Sequence, residues 1–293
     1  MEDKFTFLKK FRTNFNRPSK ETVTKLKEVS CATAWSIMNS LTDYKGDDFF
    51  MEHLRPLTNS MSCVGPALTI RYRPYDPIKR KRGDTSDPIF TQQRRDYHAT
   101  LNVAWHSINE GDVIVAEGYG YKDVGQFGDC LASCFQTKGA VGIVTDASVR
   151  DGPYYLKLDF PTFTGGPPVP GALTHVSRDG TSHGLIAVDV NVPIMCDGVP
   201  VRPGDIILGN MDGVIVIPIE LADKVAEWGQ AHEKLEELSR KLAFDGKPIE
   251  DSYMPLVKWI REYGYEKWLE IITKYDSGEY ARRHGKEYKK LGA

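Results

Sequence analysis

Apolar and polar stretches alternate along the middle of the chain and predict strands and helices in succession. Residues 112–116 form an apolar run typical of a buried strand. Four glycines follow, at positions 118, 120, 125 and 128. Helical spacing then extends over Asp129–Lys138, and Gly139 is a residue type expected just past a helix end. The recurring apolar residues of this helix are Leu131, Cys134 and Phe135. Residues 140–145 predict the second strand.

The polar residues at the ends of this strand–loop–helix–strand unit are candidates for a binding or catalytic site. The first turn of a helix has unpaired N–H groups and a partial positive charge, and glycines before it let an anion approach. The amides of residues 128–131 could therefore hold a carboxylate or a phosphate. Arg150, just past the second strand, offers a planar cation suited to a carboxylate or an enolate oxygen. Asp151 offers hard oxygen ligands for Mg²⁺ or Mn²⁺, and Asp129 could act through a water.

Each of these residues also has a purely structural interpretation. Asp129 suits the dipole at the start of a helix, and Arg150 with Asp151 could be a solvated pair in a turn. The glycines do not fit a dinucleotide fingerprint, and no Gly-Lys-Ser/Thr follows Gly128 as in a phosphate-binding loop. Neither nucleotide-binding motif is therefore favoured.

A series of short motifs, taken in order, resembles one known family. They are residues 65–70 (GPALTI), 110–115 (EGDVIV), 127–132 (FGDCLA), 142–151 (GIVTDASVRD), 201–206 (VRPGDI) and 212–218 (DGVIVIP). The family groups the regulator of ribonuclease activity A with class II pyruvate aldolases acting on 4-hydroxy-4-methyl-2-oxoglutarate and 4-carboxy-4-hydroxy-2-oxoadipate. The resemblance extends over residues 31–220, which is most of the chain.

The resemblance implies a role for each matching residue. The position of Asp151 holds the divalent metal, and that of Arg150 binds the substrate's keto oxygen and steadies the enolate. The position of Asp129 contacts a metal-bound water. Main-chain amides bind the pyruvyl carboxylate at the positions of Gly128, Cys130 and Leu131. These implied roles agree with the chemistry expected from charge and backbone geometry alone.

The resemblance also implies an architecture. The family fold is an α/β/β/α sandwich that assembles as trimers or hexamers, with an active site between subunits and an acid from the neighbour. Glu220 and Glu227 are candidates for that acid. We expect a catalytic core over residues 1–218, which includes the N-terminal helices and a basic insert. A helical C-terminal extension over residues 219–293 follows, and its first helix is predicted at residues 219–240.

Composition limits the class of protein. The 293 residues are 41% hydrophobic and 27% charged, with net charge −2, which is typical of a globular protein and gives no excess of cations for nucleic acid. No apolar run suits a signal peptide or a membrane span, so a cytoplasmic protein is expected. The five cysteines are an odd number without paired spacing, which favours free thiols. Cys130 and Cys134 could form a metal pair, but partial burial in the helix is the expected arrangement.

Three regions depart from the family pattern. An insert at residues 72–91 carries the basic run 79–82, which is either a localisation or nucleic-acid signal or a solvated loop. Arg71 and Arg73 beside it are better candidates for binding an anionic substrate. The glycine- and proline-rich residues 165–171 predict a loop where substrate choice could be set. The third region is the C-terminal extension.

These observations favour a metal-dependent carbon–carbon lyase that cleaves a 4-hydroxy-2-oxo acid through a pyruvate enolate. Oxaloacetate decarboxylation would follow from the same chemistry. One alternative is an enzyme of the same fold that uses its metal for dehydration or hydrolysis of a sugar acid. The other is a non-catalytic regulator that binds a ribonuclease. Retention of Gly128, Asp129, Arg150 and Asp151 together favours catalysis.

Overall fold

A computed structural model describes residues 14–42, 46–74, 88–171, 174–176 and 182–253 of the chain. The helices are α1 Lys20–Leu26, α2 Cys31–Leu41, α3 Pro88–Ser107, α4 Asp129–Lys138, α5 Gly152–Leu158, α6 Ala222–Phe244 and α7 Ile249–Ser252, with a 3-10 helix at Gly46–Phe49. The strands are β1 Phe50–Met51, β2 Arg55–Pro56, β3 Cys63–Pro74, β4 Val113–Ala116, β5 Gly125–Phe127, β6 Gly142–Thr145, β7 Ser148–Val149, β8 Thr162–Thr164, β9 Thr174–Val176, β10 Ser182–Val190, β11 Ile194–Cys196, β12 Val199–Val201, β13 Ile206–Asn210 and β14 Gly213–Ile217.

The long strand β3 organises the main sheet, whose order is β1-β14-β13-β3-β4-β6-β8-β2. Strands β3, β4, β6 and β8 are parallel neighbours, whereas β13 and β10 pair antiparallel with the beginning and the end of β3. Because β4 and β6 are parallel, the segments that follow them emerge at the same edge of the sheet. That edge carries the glycine loop and the Arg150–Asp151 pair.

Alternating side chains of the strands divide the interior into layers. On β4, Val113 and Val115 face a central cluster, whereas Ile114 and Ala116 face the cluster formed with α3, α4 and α5. On the other half of the sheet, Ile207 faces the same central cluster, and its neighbours on β13 face α1, α2 and α6. The order of layers is therefore helix, sheet, sheet, helix, which confirms the α/β/β/α sandwich.

The N-terminal helical region consists of two helices. Residues 19–41 form two helices because Ser30 caps α2, its Oγ accepting a hydrogen bond from the Thr33 amide at 3.1 Å. The C-terminal helix is present as α6, and it begins at Ala222 rather than near residue 219 because Pro218 to Leu221 form a turn. Helix α6 packs on α1 and α2, so the predicted extension starts with a helix that belongs to the outer layer.

The predicted insert is shorter than expected. Strand β3 continues through Pro74 and α3 begins at Pro88, so residues 72–74 and 88–91 belong to regular structure. The basic run 79–82 and residues 254–293 lie outside the described residues, and the division of the chain at residue 218 stays a prediction. None of the described helices is long and apolar enough to cross a membrane.

Candidate active site

The N-terminus of α4 is the first component of the site. Strand β5 leads into Gly128, which takes the N-cap position with extended backbone angles of φ −100° and ψ 168°. No side chain caps this helix, and its first intrahelical bond runs from the Ala132 amide to the Gly128 carbonyl oxygen at 3.0 Å. The amides of the first turn, at Asp129, Cys130 and Leu131, are therefore directed out of the helix end, where they can bind an anion.

Arg150 and Asp151 are held beside this helix end. Strand β7 pairs parallel with β5, and the Arg150 amide donates to the Phe127 carbonyl oxygen at 2.9 Å. The Arg150 Nε donates to the Asp151 Oδ2 at 2.9 Å. The side chains of Arg150 and Asp151 keep 43% and 32% of their surface exposed, so both remain accessible to a ligand.

Gly128 is in close contact with this charged pair. A Cβ added at Gly128 would lie 2.7 Å from the Asp151 Oδ2 and 3.1 Å from the Arg150 Nε. Only glycine lets the helix end approach both groups this closely. The structure thus brings together the predicted site residues Gly128, Arg150 and Asp151.

The backbone of Asp151 is strained. Its φ of 62° and ψ of 36° lie in the left-handed region, which is uncommon for a residue with a side chain and costs of order 1–3 kcal/mol. The Asp151 carbonyl oxygen accepts from the amides of Tyr154 and Tyr155 at 2.9 and 3.0 Å, which starts α5 immediately after the site. Strain of this kind is frequent at functional sites, and no local sequence pattern predicts it here.

Asp129 lies in the first turn of α4, and its charge acts on residues that the charge of Asp151 also affects. Asp129, through its charge and a hydrogen bond, raises the pKa of the Cys130 thiol, and Asp151 raises it further. Burial raises the pKa of Tyr155, and the charges of Asp129 and Asp151 act in the same direction. Two carboxylates therefore act on the same neighbours at this helix end.

The prediction that the two cysteines of α4 are partly buried is wrong. Cys130 and Cys134 are exposed rather than partly buried, because α4 turns Ala132 and Phe135 into the core instead. All five cysteines are free, as predicted. Leu131 is partly buried against the same cluster.

The Gly165–Gly171 segment borders the site as an irregular loop, as predicted. The Val169 amide donates to the Val149 carbonyl oxygen at 2.8 Å, and the Gly125 amide donates to the Gly171 carbonyl oxygen at 3.2 Å. These bonds hold the loop along β7 and close to Arg150. The loop is therefore placed where it can influence which ligands enter.

Arg71 and Arg73 are the two other cations predicted to bind an anionic substrate. Arg71 and Arg73 project from the face of β3 opposite to Tyr72, whose ring packs on Phe127 at 6.2 Å between centroids. Arg71 donates to the Pro193 carbonyl oxygen, and Arg73 donates to the Pro74 carbonyl oxygen at 3.1 Å. These bonds hold both cations against nearby backbone, and a contact of Arg71 or Arg73 with the substrate stays a prediction.

The two glutamates considered for a neighbour's acid are on the opposite helical layer. Glu220 accepts from Arg202 at 2.9 and 2.6 Å, and this bond lowers the pKa of Glu220. Glu227 is exposed on α6. Both stay candidates for a contact with another subunit.

The donor set of the site suits a divalent cation that keeps most of its waters. Among the described residues, no group of three or more His, Cys, Asp or Glu side chains could enclose a metal ion. Mg²⁺ in proteins is commonly held by only one or two carboxylates, with waters and substrate oxygens as the other ligands. The partly exposed Asp151 carboxylate fits that mode of binding, and the charges of Asp129 and Asp151 both act on the Cys130 thiol.

The fold and the site define a class of protein: a four-layer α/β sandwich with an anion-binding helix end beside an Arg–Asp pair. Residues 33–216 match the RraA-like family, described as Aldolase/RraA. The chain belongs to this family.

Individual relatives agree with the family assignment. The chain is 30% identical over 212 residues to a putative 4-hydroxy-4-methyl-2-oxoglutarate aldolase from Halalkalibacterium halodurans, covering 71% of this chain and 82% of the relative. It is 28% identical to the crystal structure of Streptomyces coelicolor RraAS2, described as an unusual member of the RNase ES inhibitor RraA protein family. That match has a TM-score of 0.61 and covers 78% of this chain and 99% of the other. An uncharacterized protein from Pseudomonas syringae, 20% identical with a TM-score of 0.62, shares the fold over 81% of this chain and 99% of its own.

Proposed function

We propose that the protein is a divalent-metal-dependent carbon–carbon lyase that cleaves a 4-hydroxy-2-oxo acid and releases pyruvate. The observation that carries the proposal is the Arg150 Nε–Asp151 Oδ2 contact at 2.9 Å, held against Gly128 at the start of α4. An anion site, a fixed cation and a hard oxygen ligand meet there. A 2-oxo acid presents a carboxylate, a keto oxygen and a chelating pair of oxygens, which match these three groups.

The first turn of α4 binds the substrate carboxylate in this proposal. The amides of Gly128, Cys130 and Leu131 donate to its oxygens, and the helix dipole favours its charge. This contact fixes the carboxyl end and directs the keto oxygen toward Arg150. The Arg150 guanidinium then donates to the keto oxygen and stabilises the negative charge that develops there as the bond between C3 and C4 breaks.

Asp151 would hold Mg²⁺ or Mn²⁺, with Asp129 contributing through water. The bound cation would supply Lewis-acid polarisation of the keto oxygen. Asp129 would accept the proton of the 4-hydroxyl group through a water, so that C4 leaves as a carbonyl group. Asp129 would return this proton through the water to C3 of the enolate, which gives pyruvate, and oxaloacetate decarboxylation would use the same enolate.

The proposal extends to assembly and location. We propose a homotrimer or homohexamer in which a neighbouring subunit adds an acid to the site, with Glu220 and Glu227 as candidates. The five free cysteines fit a reducing cytoplasm. The core over residues 1–218 would carry catalysis, and residues 219–293 would form the C-terminal extension.

Two alternative functions remain as outcomes of the tests. The same metal site could dehydrate or hydrolyse a sugar acid. The likeness to RraAS2, of the RNase ES inhibitor RraA protein family, supports a second alternative in which the protein binds a ribonuclease without catalysis. Such a regulator has no need of an accessible Arg–Asp pair beside an uncapped helix end, and the presence of both in this chain favours the lyase.

The test is pyruvate release from a panel of 4-hydroxy-2-oxo acids and oxaloacetate. We expect release that requires Mg²⁺ or Mn²⁺, stops with EDTA and returns when metal is added back. Asp212→Asn, at an exposed turn between β13 and β14, is the surface control for Asp151→Asn and should behave as wild type. Metal binding without release from any panel member would favour the sugar-acid reaction. No metal binding would favour the regulator.

A Gly128→Ala substitution is expected to raise the KM of the cleaved substrate by about tenfold or more, because a displaced helix end binds the substrate carboxylate less well. The added Cβ would lie 2.7 Å from the Asp151 Oδ2 and would push the helix end away from it. Ser133→Ala is the control, since it removes only a hydroxyl that donates to the Asp129 carbonyl oxygen at 2.8 Å. A Gly128→Ala enzyme with unchanged KM and kcat would contradict the assigned carboxylate site.

A further inference from the structure

Asp146 is a buried carboxylate bound by backbone amides. It follows β6, four residues before Arg150, and is 9% exposed. Its Oδ1 accepts from the Gly118 amide at 2.5 Å and its Oδ2 from the Gly120 amide at 3.1 Å. The backbone of Asp197, in the turn between β11 and β12, also donates to it. Among the described residues no Lys, Arg or His forms an ion pair with Asp146. Its carboxylate joins the loops through hydrogen bonds to their backbone amides.

A buried carboxylate without a cation is a costly way to join loops. Burial raises the pKa of Asp146, and the bonds from Gly118 and Gly120 only partly oppose that shift. A neutral side chain could connect two loops with less desolvation. The carboxylate has a geometric advantage, because its two oxygens accept at once from two amides of the same turn, those of Gly118 and Gly120.

The turn that Asp146 holds is tight and has little freedom to move. Tyr119 and Gly120 have positive φ angles of 55° and 66°. A Cβ added at Gly118 would lie 2.5 Å from the Ala147 amide nitrogen. The loop that starts here ends at Gly128, so its first residues are fixed on Asp146 and its last residue touches the catalytic pair.

The residues after Asp146 hold the rest of the same loop. The Ser148 Oγ donates to the Lys122 carbonyl oxygen at 2.8 Å, and the Arg150 amide donates to the Phe127 carbonyl oxygen at 2.9 Å. The segment from Asp146 to Arg150 therefore forms hydrogen bonds to the glycine loop at several points along its length. Asp146 is its only member that holds the loop through a charged side chain.

We propose that Asp146 is a positioning residue for the site: its carboxylate fixes the Gly118–Gly120 turn and thereby sets the Gly128 helix end against Arg150 and Asp151. This inference rests on the proposed lyase function for its kinetic readout. Asp146 contacts no substrate in this scheme and acts through the loop.

The experiment compares Asp146→Asn and Asp146→Ala with the surface control Asp212→Asn. In Asp146→Asn the carboxamide keeps one acceptor and turns a donor toward the second amide; in Asp146→Ala both acceptors are lost. We expect KM for the panel substrate that wild type cleaves best to rise about tenfold in the asparagine variant and up to about a hundredfold in the alanine variant. Thermal unfolding should identify any variant that fails to fold.

Hydrogen exchange gives a readout that does not depend on catalysis. Amides of residues 118–131 should exchange faster in both Asp146 variants, while those of β4 and α6 exchange as in wild type. Unchanged exchange in this loop would overturn the proposal, and so would faster exchange with unchanged KM and kcat. A wild-type protein that releases no pyruvate would refute the lyase function instead, and loop exchange would still decide whether Asp146 sets the turn.

Discussion

Replacing Arg150 with lysine is expected to lower kcat for pyruvate release by about 100- to 1,000-fold, the scale seen when one oxyanion donor is removed. The Arg150 Nε already donates to the Asp151 Oδ2 at 2.9 Å, which leaves the other guanidinium nitrogens for the keto oxygen. A lysine ammonium is a point charge on a flexible stem and cannot keep both contacts in one rigid plane. Loss in kcat with a smaller change in KM would mark an interaction made mainly in the transition state.

A second arginine in a similar ion-pair setting serves as the control. Arg240 contacts Glu236 at 2.9 Å on α6. Neither residue is assigned to the site, so Arg240→Lys should leave kcat within a few-fold of wild type. An Arg150→Lys enzyme with full turnover would exclude Arg150 from the reaction, whatever the substrate.

Asp151→Asn distinguishes the role of Asp151 from that of Arg150. The amide keeps the size of the side chain and one acceptor oxygen but removes the charge that a divalent cation needs. We expect its activity to fall by a similar factor and to recover in part at high Mg²⁺ concentration. Recovery in Asp151→Asn but not in Arg150→Lys would assign the metal to Asp151 and the oxyanion to Arg150.

Much of the local structure around the site could be predicted because its signals are local. The bounds of α4 agree with the sequence prediction, and Gly139 ends the helix with a left-handed φ of 112°. Strand β6 and the loop at residues 165–171 also lie where the apolar pattern and the glycines and prolines placed them. Each of these features depends on residues that are neighbours in sequence.

The other features of the site depend on contacts between residues that are far apart in the sequence. Periodicity placed Cys134 on the apolar face of α4, but the packing of Phe135 against Phe127, 6.1 Å between ring centroids, turns a neighbouring face inward. Asp146 stood within a recognised motif without a role, since its partners Gly118 and Gly120 lie 28 and 26 residues away. The left-handed backbone of Asp151 likewise follows from its surroundings and not from its residue type.

Asp112 is the strongest case of a long-range partner that sequence reasoning could not find. The local pattern predicts only that it begins an apolar run, yet its carboxylate is fully buried and accepts from the Arg17 Nε and Nη2, each at 2.8 Å, 95 residues away. The Asn109 amide donates to the same carboxylate at 2.8 Å. Arg17 also donates to the Ser107 carbonyl oxygen at 3.1 Å. This group fastens the N-terminal segment to the start of β4.

Asp112→Ala is therefore expected to lower the free energy of unfolding by about 3–5 kcal/mol, the cost of breaking a buried ion pair from one side. The substitution leaves the Arg17 guanidinium and the Asn109 amide without their acceptor, and the desolvation cost of these groups is then uncompensated. Denaturant unfolding followed by far-UV circular dichroism would measure the change. Glu21→Ala, which removes the partner of Lys25 in an exposed pair on α1, should change it by about 0.5 kcal/mol or less.

The double variant distinguishes a coupled pair from two independent losses. Arg17→Met alone leaves the buried Asp112 carboxylate with only the Asn109 amide among these donors, and should also destabilise. If the two groups stabilise the fold through each other, Arg17→Met combined with Asp112→Ala will cost less than the sum of the single changes, because neither is then left buried and unpaired. Strict additivity would mean that Asp112 acts through Asn109 and the turn before β4, and that the N-terminal segment is held by other contacts.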